Sequence, residues 1–174
     1  SDTINYSRKI FNNNEINNFS QENNLKELNK LILDIEKNNN EHLNEITLML
    51  DISKIFTITL SIFKKIDKEK INEKFIHNLI LNVKQEVLNN YKELEILHLI
   101  VVNYKIDNKI LHQIPVNTDC KKISIELSFI VIPKFDLEKY KKIFSYSNII
   151  IKKVICSSYA KSIFYNKKLD YHNQ

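Results

Sequence analysis

The stretch EILHLIVVNYKIDN, residues 95–108, is the most apolar part of a chain that is otherwise rich in Asn and Lys. Its apolar run over 96–102 is far shorter than the roughly 20 residues that a membrane-spanning helix needs. A continuous run of this kind is typical of a strand that is covered on both faces. Asp107 and Asn108 tolerate left-handed backbone, so they predict a turn directly after the strand.

A half-buried strand is predicted at residues 123–132, where apolar and polar residues alternate with a period of two. Pro133 ends this pattern. The side expected to face the core consists of Ile123, Ile125, Leu127, Phe129 and Val131.

The flanking segments show helical and strand periodicities that complete the order of elements. Before the opening stretch they predict a helix over 21–37, two strands over 45–50 and 55–63 that join near 51–54, and a helix over 68–88 with Asp67 as its N-cap. After the half-buried strand they predict a short helix capped by Asp136, a strand over 148–155 and a helix from Ser157. This order predicts an α+β fold with helices packed on a small antiparallel or mixed sheet. We expect one domain over 21–165, a loosely ordered arm over 1–20 and a polar tail over 166–174.

The composition excludes several kinds of ligand site. The chain contains no glycine, and the usual phosphate loops need glycine to bring backbone N–H groups close to a nucleotide. We therefore expect no nucleotide on this chain and no other cofactor. The five histidines are scattered, and Cys120 and Cys156 have no second ligand nearby in the sequence, so a metal site is not indicated. Two cysteines fit a reducing, cytosolic compartment.

No catalytic constellation is visible, and the sequence does not indicate an enzyme. His98 lies inside an apolar strand, which favours a core or interface role. Ser157 and Ser158 lack a glycine elbow and are interpreted as helix caps. Glu126 has no evident carboxylate partner. The N-terminal residues lack a signal-peptide pattern, and we expect a soluble protein without a transmembrane segment.

The positive charge of the chain is uneven. The net charge is +5, and the excess of basic over acidic residues lies within 109–174, because residues 1–108 contain slightly more Asp and Glu than Lys and Arg. Such a field favours an acidic protein, an anionic lipid or a nucleic acid as partner. Arg8 is the only arginine, whereas specific nucleic-acid readers rely on bidentate arginine contacts. A lysine-rich nucleic-acid-binding module is therefore the alternative rather than the leading hypothesis.

Three segments together resemble the bacterial actin-like cell-division family FtsA, in its inserted 1C subdomain, an SHS2 module. The family has a strand of the form E-I-L-H-V-I-P-Q-x-Y-x-V-D-G, with Asn108 here at the final Gly position. The stretch ISIELSFIVI at 123–132 resembles a second family strand, and CSSYAKSIF at 156–164 resembles the helix L-A-S-S-Y-S-V-L. The residues that match the first motif are Glu95, Ile96, Leu97, His98, Ile100, Tyr104 and Asp107.

The resemblance implies an SHS2-like fold and a role in binding rather than catalysis. In the family, ATP binds between actin-like lobes that lie outside this subdomain, and a separate amphipathic helix provides the membrane anchor. The implied partners are a neighbouring FtsA-like subunit or another cell-division protein, such as the cytoplasmic tail of a late divisome protein. The implied location is the cytoplasm, at the inner face of the membrane through parts that this chain lacks. An FtsA-like protein of pilus assembly is a further alternative.

A binding surface is predicted where the first strand ends and the half-buried strand begins. Tyr104, Lys105 and Asp107 interrupt the apolar run, so we expect their side chains to meet solvent or a partner. Lys121 and Lys122 concentrate positive charge at the start of the neighbouring strand. These five residues are the interaction site that the sequence predicts.

Overall fold

A computed structural model describes residues 22–66, 71–107, 109–115 and 118–172, with side chains described between 25 and 165. This part of the chain is α+β, which confirms the predicted class. Its helices are α1 (Glu22–Asn39), α2 (Glu73–Asn90), α3 (Lys134–Ser145) and α4 (Ser157–His172). Its strands are β1 (Glu45–Leu50), β2 (Phe56–Lys65), β3 (Leu94–Ile106), β4 (Lys109–Leu111), β5 (Lys122–Pro133) and β6 (Ile150–Cys156).

The chain divides into two compact units, whereas the sequence predicted one domain over 21–165. The inserted unit is the continuous segment Ser53–Lys134. The flanking unit contains the described residues up to Ile52 and from Phe135 onward. The described residues form two sheets instead of the one small sheet that the sequence predicted, because each unit has a sheet of its own. Periodicity identifies strands one at a time, and it does not show which strands pair.

The inserted unit is built on a four-stranded antiparallel sheet in the order β2-β5-β3-β4. The central strand β5 pairs with β2 in continuous register from Phe56 to Lys65. Its pairing with β3 is interrupted twice by bulges. The predicted inward face of β5 is confirmed, because each of its residues is at most 1 % exposed: Ile123, Ile125, Leu127, Phe129 and Val131.

Helix α2 packs its apolar face against this side of the sheet, where Ile76 and Val87 join the core. The helix begins at Glu73, later than the sequence predicted. Asn72 is its N-cap, in extended backbone with its Oδ1 accepting a 2.8 Å hydrogen bond from the N–H of Phe75. An asparagine in this position satisfies a helix N–H that would otherwise lack a partner. The predicted cap, Asp67, lies outside the described residues.

The flanking unit contains a two-stranded parallel sheet of β1 and β6, in which Glu45 is opposite Ile150. Its apolar cluster is centred on Leu28, Ile32 and Ile149. Helix α3 begins at Lys134, so Asp136 lies in its first turn rather than at its cap. A carboxylate in the first turn is favourable because it faces the positive end of the helix dipole.

Helix α4 begins at Ser157, as predicted, and Ser157 and Ser158 form its first turn. The helix continues to His172, through most of the segment that was predicted to be a polar tail. That segment contains no proline or glycine to end a helix. The predicted arm over 1–20 lies outside the described residues. Within the described part of the chain, no helix is both long and apolar enough to span a membrane.

Candidate interaction site

Asp107 follows β3 directly in the chain and links it by hydrogen bonds to the start of β5. Its backbone is left-handed, with φ of 50°, as predicted for this turn. Its Oδ1 accepts hydrogen bonds from the backbone N–H groups of Lys121 and Lys122, both at 3.2 Å. Its own N–H donates to the carbonyl oxygen of Lys122 at 3.1 Å. One aspartate therefore fixes the position from which both predicted lysines project. Asn108, the second residue of the predicted turn, lies outside the described residues.

Three of the five predicted residues line one shallow cleft of about 200 Å³ on the inserted unit. Lys105 lines the cleft from β3 and Lys122 lines it from β5. Asp107 lines it from the turn that follows β3. Phe63 and Ser124 complete the lining. The cleft therefore combines two ammonium groups, one carboxylate and an aromatic ring, which suits an anionic ligand with some apolar surface. Lys121 is exposed beside it.

Phe63 is the part of this site that sequence reasoning missed. Its side chain is 59 % exposed. It lies opposite Ser124 on β5, and Ser124 in turn lies opposite Lys105 on β3. The three side chains therefore form one row across the sheet, on the face away from the core. The signal was present in the sequence, because Phe63 falls on the alternate positions to the inward-facing Ile58, Leu60 and Ile62.

Tyr104 is placed differently from the prediction. We expected its side chain to meet solvent or a partner, but it is only 4 % exposed and belongs to the core. The alternation of β3 explains the correction, because Tyr104 and Ile106 share the core face and Lys105 points the other way. Burial raises the pKa of the Tyr104 phenol. Tyr104 also borders a second, open pocket of about 470 Å³ that His77 and Ile114 help to line.

The outer face of the sheet is polar next to the cleft. Glu126 on β5 lies opposite Asn103 on β3, and its Oε2 accepts a 2.6 Å hydrogen bond from Asn103 Nδ2. Ser61 is the neighbour of Glu126 on β2. This face carries hydroxyl, amide and carboxylate groups where the opposite face carries the core. Farther along β5 the same face is covered, because Ile130 and Ile132 are buried, so the polar part of the face is the part beside the cleft.

Across the described ranges, no three His, Cys, Asp or Glu side chains are clustered in a way that could hold a metal ion. Burial, together with the charge of Asp107, raises the pKa of the Cys120 thiol, which disfavours the nucleophilic thiolate. Cys156 Sγ lies 3.0 Å from Ser158 Oγ in the flanking unit. Neither a protein-family model nor a curated protein matches this chain.

Proposed function

We propose that the chain is a non-catalytic interaction domain of an FtsA-like cell-division protein, which binds a neighbouring subunit or another division protein. The observation that carries this proposal is the cleft of Lys105, Asp107, Lys122 and Phe63 on the polar face of the inserted sheet. It offers charge and an aromatic ring for contact. The proposed location is the cytoplasmic side of the membrane, reached through other parts of the protein.

The order of elements in the inserted unit supports an SHS2 assignment. Strand β2, helix α2, strand β3 and strand β5 follow one another, with the short β4 between the last two. Strand, helix, strand, strand is the order that the name SHS2 abbreviates. The two strand motifs that resemble the family coincide with β3 and β5, and the third motif coincides with the start of α4. The assignment to the family remains a proposal based on these segments.

The position of the lysines favours an acidic partner. Lys121 and Lys122 are fixed through their backbone by Asp107, so their charged ends emerge from a defined place. Complementary charge of this kind mainly increases the rate at which partners associate. We therefore expect replacement of both lysines by glutamate to slow binding about tenfold while the thermal midpoint of unfolding stays nearly unchanged.

The experiment measures self-association by sedimentation velocity and binding of the cytoplasmic tails of division proteins by biolayer interferometry. The double variant Lys141→Glu with Lys142→Glu, on the exposed surface of α3, is the matched control for general charge effects. Slower association for the Lys121 and Lys122 variant alone supports the proposed surface. Unchanged binding by a folded variant removes this surface, and a wild-type chain that binds neither itself nor any tail overturns the proposed function.

The nucleic-acid alternative has one observation in its favour, which is that Phe63 lies beside Lys105 and Lys122 in the cleft. RNA-binding sheets of this kind stack bases on two or three exposed aromatic rings, and Phe63 is the aromatic residue that lines this cleft. A salt titration with single-stranded RNA separates the two functions, because phosphate binding weakens steeply as salt rises. An FtsA-like pilus protein would be recognised by binding pilus-assembly tails instead of division tails.

A further inference from the structure

Strand β2 presents a long edge at the side of the inserted sheet. It runs for 10 residues, and among the described residues it pairs with β5 alone. On its other side, no strand of the described part of the inserted unit pairs with the row of backbone N–H and C=O groups. The side chains along the strand are mostly exposed, including Phe56 at 45 % and Phe63 at 59 %.

This edge has little of the protection that sheet edges usually carry. Natural edge strands are commonly short, bulged, interrupted by proline or bent away from neighbours. On the opposite side of the same sheet, β4 covers only Tyr104–Ile106 of β3, and the rest of β3 is an edge that two bulges interrupt. In contrast, β2 contains no proline and keeps continuous register with β5 along its whole length. Its protection is limited to the lysines at its end.

The charges along β2 indicate which kind of partner strand would pair with its edge. The segment from Ser53 to Ile66 contains Lys54, Lys64 and Lys65 and no acidic residue. Lys122 lies opposite Lys65 on β5, which adds positive charge at the same end. Two acidic residues lie near this strand. Glu126 on β5 is hydrogen-bonded to Asn103 on the far side of β5. Asp107 shares the cleft with Phe63, and its Oδ1 accepts from the backbone N–H groups of Lys121 and Lys122.

We propose that the open edge of β2 binds an extended, acidic segment of a partner protein as a fifth strand of the inserted sheet. Backbone hydrogen bonds supply the affinity in this mode, and side chains at alternate positions supply the selectivity. Phe56 and Phe63 offer apolar contacts near the two ends, while Lys64 and Lys65 pair with carboxylates. The inference rests on the proposed function, because it states how that partner is held.

The probe is a short acetylated peptide in which valine and threonine alternate with glutamate. A matched peptide carries lysine in place of glutamate, and a third carries the acidic sequence with N-methyl groups on alternate amides. Binding is measured by fluorescence anisotropy, and hydrogen exchange of the β2 amides is followed by NMR. We expect the acidic peptide to protect those amides of β2 that do not bond to β5. We expect each of the other two peptides to bind at least about tenfold more weakly.

The protein variant Lys64→Glu with Lys65→Glu should also weaken binding of the acidic peptide about tenfold. The variant Lys141→Glu with Lys142→Glu is the folded control.

The inference is overturned if the acidic peptide does not protect β2, or if the N-methylated peptide binds equally well. Protection of β2 that grows with protein concentration alone would mean that a second copy is the occupant. If division tails bind without affecting β2, this inference fails while the proposed function stands. If the acidic peptide adds to β2 but no tail or neighbouring subunit binds, the proposed function fails while this inference stands.

Discussion

Asn103 and Glu126 lie directly opposite each other on β3 and β5, and the Asn103 amide donates a 2.6 Å hydrogen bond to the Glu126 carboxylate. The bond lies on the polar face of the sheet, next to a bulge in β3. It is partly buried, so water does not fully replace it when it is broken.

Replacing Asn103 with Ala should lower the free energy of unfolding by about 1.5–3 kcal/mol, because a hydrogen bond to a charged group is lost. Chemical denaturation of N103A, E126A and the double variant measures the coupling between the two side chains. A coupling free energy near zero in this cycle would show that the contact contributes nothing to stability.

Replacing Leu127 with Ala should lower the free energy of unfolding by about 2–5 kcal/mol, the usual result of truncating a fully buried side chain. Leu127 is 0 % exposed and faces the core. Ser128, the next residue on β5, faces the other side, so Ser128→Ala is the control and should change stability little. Similar denaturation midpoints for the two variants would contradict the register of β5.

Replacing Asp107 with Ala should destabilise the protein by about 1–3 kcal/mol, because two backbone N–H groups lose their shared acceptor and Ala tolerates left-handed backbone poorly. Asp107→Asn is the matched variant, since its amide oxygen can still accept and Asn tolerates the same backbone. We expect D107N to lose less than half as much stability in urea denaturation. Equal losses would mean that the charge of Asp107, rather than its geometry, is what matters.

Glu36 and His42 form a pH-dependent pair in the flanking unit. Glu36 Oε1 accepts from His42 Nδ1 at 3.0 Å and from the N–H of Leu43 at 2.9 Å. The bond from His42, followed by the bond from Leu43, lowers the pKa of Glu36 from its ordinary 4.5. The bond to Glu36, followed by its negative charge, raises the pKa of His42 from its ordinary 6.5.

The signs of these shifts define a pH window. The Glu36 contribution to stability is complete above pH 4.5 and is lost as the pH falls through the lowered pKa. The His42 contribution is complete below pH 6.5 and is lost as the pH rises through the raised pKa. The pair therefore stabilises the fold most between these two values. Both shifts concern surface groups, so salt should weaken the effect.

Replacing Glu36 with Gln should return the pKa of His42 towards 6.5, measured by NMR titration of its ring Hε1 proton. The glutamine oxygen can still accept from Leu43, so the turn itself is preserved. Glu41→Gln, at the exposed residue directly before His42, is the control and should leave the pKa raised. A His42 pKa that responds equally to both variants would contradict the specific pairing.

The success and failure of the sequence predictions follow from which interactions are local. The alternation of β5 was predictable because one face packs against the core, and the residues along the strand alternate between apolar and polar types accordingly. Tyr104 was misplaced because its polar neighbours suggested an emerging strand, while the pleat in fact turns its ring inward. The late start of α2 depends on one asparagine side chain, and a cap of this kind has several equivalent candidates in a polar segment.

The candidate site shows the same division. Lys105 and Asp107 were predictable because they interrupt an apolar run, and Lys121 and Lys122 because they concentrate charge at the start of the next strand. The alternation of β2 places Phe63 on the outer face, but its position in the cleft depends on the pairing of β2 with β5 and of β5 with β3. The pairing of β1 with β6 could not be predicted from the sequence either. The two strands are far apart in the chain, and the sequence of neither strand indicates which strand it pairs with.

That distant pairing has a consequence for how the chain folds. Joining β1 to β6 closes a loop of roughly 100 residues, and the entropy lost on closing a loop grows with its length. If Ser53–Lys134 forms its own sheet first, most of that loop is already compact and its ends are restrained before β1 and β6 meet. The flanking unit should therefore acquire protection from hydrogen exchange after the inserted unit during refolding. Variants that slow the inserted unit, such as L127A, should then delay the flanking unit as well.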